Sequence, residues 1–334
     1  MKKYVPLNDV SVAYDENSGN ISIRTRDPRV KGKPFDISLS SRTGTYQTLY
    51  DIICSEENSA FKNIDDDKGL PPFTHQTLSE LVTSQGLDSI ISLGRDASGR
   101  PVTIDLGRQN HTLISGSARR TIPDVMDCIV EFGKAFDSIQ MFVVEPGARR
   151  SRYSGLRESK KDTYASGTTE IFDLFNGLLV EANRRNEVLE GGSSISDVAF
   201  ENYEDAGMPK IFVVINDIDE ITLPVPDESK AISAENFLRS RIYDAIEDLF
   251  IESADLGIFF FVSTEKPDAT VLRSEIKNRM GNRILMGAAN PTLAYLVLGE
   301  SCKFGAGVLT NERGVFQTWK EGQKLFEVHR EVGE

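Results

Sequence analysis

Apolar and polar positions are spaced differently in the first 60 residues than in the rest of the chain. Near the start they alternate. Asp9-Val-Ser-Val-Ala-Tyr14 and Ile21-Ser-Ile-Arg-Thr25 flank the polar cluster Asp15-Glu-Asn-Ser-Gly-Asn20, a pattern that predicts a β-hairpin. Residues 35–39 predict a further short strand and residues 45–54 a short helix. Residues 55–72, with Asp65-Asp-Asp67 and Pro71-Pro72, read as a solvated linker. Residues 1–70 are therefore expected to form a β-rich extension and residues 71–334 a separate domain.

From residue 73 onward short apolar runs alternate with longer stretches of helical period. Helices are predicted over 79–85, 123–136, 169–189 and 234–253. In the third, Ile171, Leu174, Phe175, Leu178, Leu179 and Ala182 fall on one face. Strands are predicted over 90–93, 102–106, 111–115, 139–144, 211–215, 258–262 and 283–286, and a closing hairpin over 305–319 around Asn311-Glu-Arg-Gly314. Near-continuous apolar runs such as Ile258-Phe-Phe-Phe-Val262 suit strands buried on both faces of a parallel sheet. Strands alternating with long helices imply right-handed βαβ units. No internal repeat is visible.

The 334 residues are 39% hydrophobic and 27% charged, an ordinary globular profile. No apolar run approaches the roughly 18 residues that span a bilayer, and no signal-peptide pattern follows Met1, so the chain is expected to be soluble as given. The net charge of −13 argues against a broad nucleic-acid footprint. Arg149, Arg150 and Arg152 form a local basic cluster that reads as a solvated loop. Cys54, Cys128 and Cys302 are odd in number and widely spaced, which suits a reducing compartment. Neither they nor His75, His111 and His329 show metal-ligand spacing, and no catalytic triad is indicated.

Three segments are expected at the carboxyl ends of the strands, where open α/β sheets bind ligands. The first is Gly116-Ser117-Ala118-Arg119-Arg120-Thr121, between a strand and a helix, where a phosphate-binding G-x-x-x-x-G-K-[ST] loop would sit. It has the first Gly but no second Gly and no Lys; Arg120-Thr121 meets the Lys-Ser/Thr requirement only if the loop is shortened. Pro123 removes a donor from the first helical turn, and Asp124 sets a carboxylate against phosphate. A tight turn capped by Thr121 is the structural alternative. The second is Phe212-Val-Val-Ile-Asn216-Asp217-Ile-Asp219-Glu220, an apolar strand ending in acids like a Walker B segment. If Asn216 takes the metal-acid position, the carboxylate has become an amide; if Asp217 takes it, the motif is partly intact. A helix-capping role for Asp217 or Asp219 is the structural alternative. The third is Ser263-Thr264-Glu-Lys266, hydroxyls ending a buried strand where a phosphate sensor could stand.

Taken in order, these landmarks resemble the FtsK/SpoIIIE family of ring ATPases, most closely the C-terminal ATPase domains of type VII secretion ATPases of the EssC/EccC type. The resemblance rests on Pro71-Pro-Phe-Thr-His-Gln-Thr-Leu-Ser-Glu-Leu81, Ile91-Ser-Leu-Gly-Arg-Asp96, Pro101-Val-Thr-Ile-Asp-Leu106, His111-Thr-Leu-Ile-Ser-Gly116, Phe142-Val-Val-Glu-Pro-Gly147, Glu181-Ala-Asn-Arg-Arg-Asn-Glu187, Ile215-Asn-Asp-Ile-Asp-Glu-Ile221 and Asp255 to Thr264. It covers roughly residues 70–325.

The resemblance implies a RecA-like P-loop NTPase fold of α/β class, a mostly parallel sheet flanked by helices, with a small N-terminal β-rich extension. It implies ATP and Mg²⁺ as cofactors, but the departures in both Walker segments point to a degenerate module with little or no turnover. Such a module would act in substrate recognition or in regulating neighbouring ATPase domains of the same polypeptide or ring. Its substrates would be secreted helical hairpins. It would lie in the cytoplasm as the C-terminal part of a membrane-anchored secretion ATPase, and nucleic acid is not an expected partner. The rivals are an active FtsK-like DNA translocase, a regulatory domain that binds nucleotide through Arg119 or Arg120 without hydrolysis, and an unrelated scaffold.

Overall fold

The computed structural model describes the backbone of residues 3–7, 10–14, 20–25 and 35–38 and most of the chain from Thr77 to Arg330. Within that span, residues 109–110, 118–121, 148–150, 160, 192–199, 225–229, 288–289, 305–308, 310–311 and 319–321 lie outside the described residues, as do the side chains of 230–233 and 252. The chain forms two compact units, Met1–Glu57 and Asn58–Glu334.

The first unit holds a four-stranded antiparallel meander, β1 (Lys3–Leu7), β2 (Val10–Tyr14), β3 (Asn20–Thr25) and β4 (Phe35–Ser38). The predicted hairpin is β2–β3, with Val12 opposite Ile23. β1 has no counterpart in the alternation pattern because Pro6 interrupts it; as an edge strand it tolerates the missing N–H. The helix expected over 45–54 and the linker over 55–72 lie outside the described residues.

The second unit is a ten-stranded sheet covered by helices on both faces. Its strands are β5 (Ile90–Arg95), β6 (Pro101–Asp105), β7 (Thr112–Gly116), β8 (Ile139–Val144), β9 (Thr163–Ala165), β10 (Lys210–Ile215), β11 (Ile258–Thr264), β12 (Asn282–Met286), β13 (Arg313–Thr318) and β14 (Lys324–Val328). The spatial order is β6-β5-β14-β13-β12-β7-β11-β10-β8-β9. From β12 to β9 every pairing is parallel; β13, β14, β5 and β6 pair antiparallel. The closing hairpin is thus β13–β14. Gly314, expected in its turn, instead lies within β13 against Met286, because the second arm of the hairpin comes from residues beyond the predicted span.

The helices are α1 (Leu78–Val82), α2 (Ile122–Ala135), α3 (Thr168–Leu189), α4 (Asp219–Thr222), α5 (Lys230–Glu252), α6 (Ser274–Arg279) and α7 (Pro291–Leu298). The strands alternate strictly in what they bury. Phe212, Val214, Phe259 and Phe261 join α1 and α2 in one core, while Ile211, Val213, Ile258 and Phe260 join α3, α5, α6 and α7 in the other. Apolar runs that looked uniform in sequence are therefore two half-cores, one per face.

Three large buried polar side chains in these cores find partners. Arg185 lies in the apolar stripe of α3, paired with Glu181 at 2.8 Å and donating to the Leu256 carbonyl at 2.7 Å. Arg283 of β12 donates to the carbonyls of Lys277, Met280 and Val297 at 3.0, 3.3 and 3.2 Å, closing the ends of α6 and α7. His111 precedes β7 and accepts the Phe260 N–H through Nδ1 at 3.1 Å, its ring 4.7 Å from that of Phe250.

Burial, with the Arg279 charge second, pushes the His111 imidazole down to about 3. The unfolded chain takes up that proton near 6.5, so His111 supports the fold fully above 6.5 and progressively less as pH falls toward 3. We expect the Tm to fall between pH 7.5 and pH 5. His111→Phe should make that fall shallower while costing about 1–3 kcal/mol at pH 7.5, because the buried Phe260 N–H loses its acceptor. Thermal melts of both proteins at the two pH values check this.

Candidate functional site

The chain leaves β7 at Gly116, where only glycine fits: a Cβ would stand 2.0 Å from the Met286 carbonyl oxygen of β12. The Ser117 N–H donates to that same carbonyl at 3.1 Å. Ala118, Arg119, Arg120 and Thr121, and with them the expected Thr121 cap, lie outside the described residues. Counted from Gly116 along G-x-x-x-x-G-K-[ST], the lysine position falls on Ile122 and the hydroxyl position on Pro123. Ile122 is buried in the α2-side core.

Asp124, in the first turn of α2, is half-buried, and burial raises its carboxyl above the usual range. Arg152 bonds Asp127 through Nε at 2.7 Å and reaches Asp124 at 3.4 Å, while the Tyr153 hydroxyl donates to Asp127 at 2.8 Å. The basic cluster predicted at 149–152 is therefore partly an ion-pair partner of α2; Arg149 and Arg150 lie outside the described residues.

At the carboxyl ends of β8, β10 and β11 the register sets three side chains in a row. Ile215 lies opposite both Val144 and Val262, so Asn216 stands between Glu145 and Ser263. All three continue the alternation toward the α2 face. Ser263 Oγ accepts the Asp217 N–H at 2.8 Å and donates to Asn216 Oδ1 at 3.1 Å; Asn216 Nδ2 then faces Glu145 Oε1 at 3.5 Å. Glu145 is buried and fully engaged. It also accepts from Ser151 Oγ at 2.6 Å, the Arg152 N–H at 3.3 Å and the Tyr153 N–H at 3.1 Å. Four donors use a carboxylate's lone pairs, so Glu145 latches segment 151–153 onto the sheet.

The acids after Asn216 diverge. Asp217 has φ +65°, the one non-glycine residue with positive φ among the described residues. Its Oδ1 is buried without a hydrogen-bond partner. Burial first, then a hydrogen bond and charge repulsion from Asp219, push its carboxyl up to about 7. Asp219 is buried and accepts from Thr264 Oγ1 at 2.7 Å, the Glu265 N–H at 2.8 Å and the Lys266 N–H at 3.2 Å. Neither acid caps α4, whose N-cap is Ile218 with no side-chain cap bond; Asp219 clamps the β11 exit instead. Glu220 is exposed.

Among the described residues no group of three or more His, Cys, Asp or Glu is placed to hold a metal ion. An amide at 216, a carboxyl at 217 that favours its proton and a committed Asp219 do not fit a resident Mg²⁺. The structure thus gathers Asn216, Asp217, Asp219, Ser263 and Thr264 at one rim, with Gly116 ending the adjoining strand β7 and Ser117 following it. Glu145, Asp127 and Arg152 belong to this network; in the sequence Glu145 was only an acid ending an apolar run, Arg152 only part of a basic cluster, and Asp127 carried no signal.

The parallel order β12-β7-β11-β10-β8 places one strand between the loop strand β7 and the acid-bearing strand β10, and the fold is that of the RecA-like P-loop ATPases. Within that class the chain resembles FtsK/SpoIIIE-type proteins. It is 20% identical over 224 residues to the DNA translocase FtsK of Staphylococcus aureus, a match covering 63% of this chain and 26% of that protein. Three solved structures share the fold. The pCW3 conjugation coupling protein TcpA with ATPγS has a TM-score of 0.64 at 17% identity, covering 98% of this chain and 88% of TcpA. EssC ATPases 2 and 3 of Geobacillus thermodenitrificans have a TM-score of 0.58 at 14% identity, covering 78% of this chain and 47% of EssC. The cytoplasmic domain of the type VII secretion ATPase EccC of Thermomonospora curvata has a TM-score of 0.53 at 15% identity, covering 83% of this chain and 32% of that one. This chain spans about a quarter of the length of the FtsK proteins it matches. No protein-family model matches it. Among the described residues no helix is long and apolar enough to cross a membrane.

Two outcomes follow from the row and from Asp217. Asn216→Asp sets a second carboxylate against Glu145 with no donor between them, and should cost about 1–3 kcal/mol at pH 7.5. Adding Glu145→Gln should recover part of the loss, measured by urea unfolding of the single and double variants. Asp217 binds its proton more tightly folded than unfolded, so its contribution favours the fold at low pH and is lost as pH rises from 3.8 through about 7. Asp217→Asn, which can still donate to Asp219, should raise the Tm most at pH 8, less at pH 5, and leave it nearly unchanged at pH 3.

Proposed function

We propose that this chain is a degenerate ATPase module of a type VII secretion motor, which recognises substrate or couples to neighbouring ATPase domains and turns over little or no ATP. One observation carries the reading. The carboxyl ends of β8, β10 and β11 are closed on one another by protein groups, with an amide at Asn216 and every Glu145 lone pair taken. A buried Ile122 at the lysine position of the loop supports it. Gly116 to Thr121 is then the remnant of a Walker A loop, Asn216 to Glu220 of a Walker B segment, and Ser263 and Thr264 of a sensor.

Residues 71–334 are the ATPase-like domain in this proposal, and residues 1–70 connect it to a preceding module. Neighbouring modules of the same polypeptide or ring and secreted helical hairpins are the partners. One similar structure, EccC ATPases 2 and 3, is described in complex with a signal sequence peptide. The setting is the cytoplasm, with membrane attachment supplied by other parts of a longer protein. The DNA-translocase alternative draws on the similarity to FtsK, but a net charge of −13 disfavours a duplex partner.

Phosphate release from Mg·ATP should stay at the no-enzyme background, and DNA should not be retained at physiological salt. Co-expressed helical-hairpin secretion substrates should co-purify. Turnover that Asp217→Ala abolishes would sink the degenerate reading, and salt-sensitive DNA retention would favour a translocase.

A further inference from the structure

The face of α2 that meets segment 151–156 borders a cavity of about 540 Å³, a size that admits a side chain or small ligand. Buried Leu78 of α1, Val130 of α2 and Leu156 give it an apolar wall. Asp124, Asp127 and Glu131 stand three and four residues apart on α2, so one helix face presents all three carboxylates to it. Their partners are unequal. Arg152 is committed to Asp127 through two of its nitrogens, Nε at 2.7 Å. Lys134 pairs with Glu131 at 2.5 Å, and Arg330 with Glu312 at 2.7 Å. Each cation on the wall is thus held by another acid. Asp124 is left with the far end of Arg152 at 3.4 Å, beyond the usual length of a charge-assisted hydrogen bond. Burial holds its carboxyl above the usual range even with Arg152 nearby, so the ionised form is short of positive charge. Its side chain is 22% exposed and reachable from solvent. Gly155 borders the same cavity, and a Cβ there would meet no atom within 4 Å.

We propose that this cavity binds an arginine side chain presented by a partner peptide, its guanidinium on Asp124 and its methylenes along the apolar wall. The site goes beyond the degenerate-ATPase reading and does not depend on it. The first turn of α2 would by itself favour an anion; Asp124 there and Asp127 just beyond reverse that preference. Arg152 shows which ion the row accepts, since a guanidinium already lies against Asp127. A planar fork matches a carboxylate with two parallel hydrogen bonds and is weakly hydrated, so it enters a half-buried place more readily than an ammonium. Its aliphatic stem covers apolar surface while the charged end stays at the acid.

Fluorescence anisotropy of a short dye-labelled peptide with one central arginine, titrated with the full chain at physiological ionic strength, tests this. We expect the wild type to bind it. The same peptide carrying citrulline, which keeps the shape and loses the charge, should bind at least roughly tenfold more weakly, and Asp124→Asn should weaken the arginine peptide by a similar factor. Gly155→Trp sets a ring where no atom stands and should abolish binding. An amide at 124 can still accept from Arg152, and a side chain at 155 meets open space, so both variants should keep the wild-type Tm. Absence of binding by the wild type, equal affinity for the citrulline peptide, or unchanged affinity in Asp124→Asn would overturn the assignment. Spermidine displacing the peptide at equal concentration would overturn the choice of an arginine side chain over a free polyamine.

Discussion

Parallel pairing of β10 with both β8 and β11 decides what can stand at the carboxyl end of this sheet. The register leaves Asn216 no choice of neighbours: Glu145 on one side and Ser263 on the other, on the face that α2 covers. A side chain between a carboxylate and a hydroxyl must donate to the first and can accept from the second, and an amide does both. With Asn216 in place, Glu145 can turn its remaining lone pairs to segment 151–153. That segment sets Arg152 and Tyr153 against Asp127 of α2. β8, β10, β11 and α2 are thus joined through side-chain hydrogen bonds and an ion pair.

The same packing sorts the acids that follow. Asp217, Asp219 and Glu220 look equivalent in a list of residues and differ in every physical respect in the fold. Asp219 is saturated by donors from the β11 exit. Asp217 is turned by a left-handed backbone into a place where burial and its neighbours favour the proton. Glu220 faces solvent. Three negative charges in sequence become one structural clamp, one titrating group and one surface charge.

Much of the fold was legible because each apolar run had one interpretation. Strands β7, β8, β10 and β11 and helices α2, α3 and α5 are long or strongly patterned, and the α/β alternation identifies the class. The elements that escaped are short or uniform. β9 has three residues and is defined by its neighbour β8. α7 carries an Asn290 N-cap, Pro291 and a left-handed Gly299 at its end, but its interior is apolar nearly all round and shows no period. β14 was missed, and the hairpin misplaced, because strand partners hundreds of residues apart, such as Val328 and Gly94, leave no local trace.

At the site, the sequence alone determined what is absent: no Gly-Lys pair follows Gly116, and an amide stands at 216. These are facts of composition at known spacing, and folding does not change them. Only the tertiary structure decided what took their place. Glu145 is an acid ending an apolar run until β8 is set beside β10, and Arg152 is a loop charge until it meets α2. Hydrogen bonds and ion pairs act over a few ångströms, and in this fold those distances are fixed by strand register between residues tens to hundreds of positions apart.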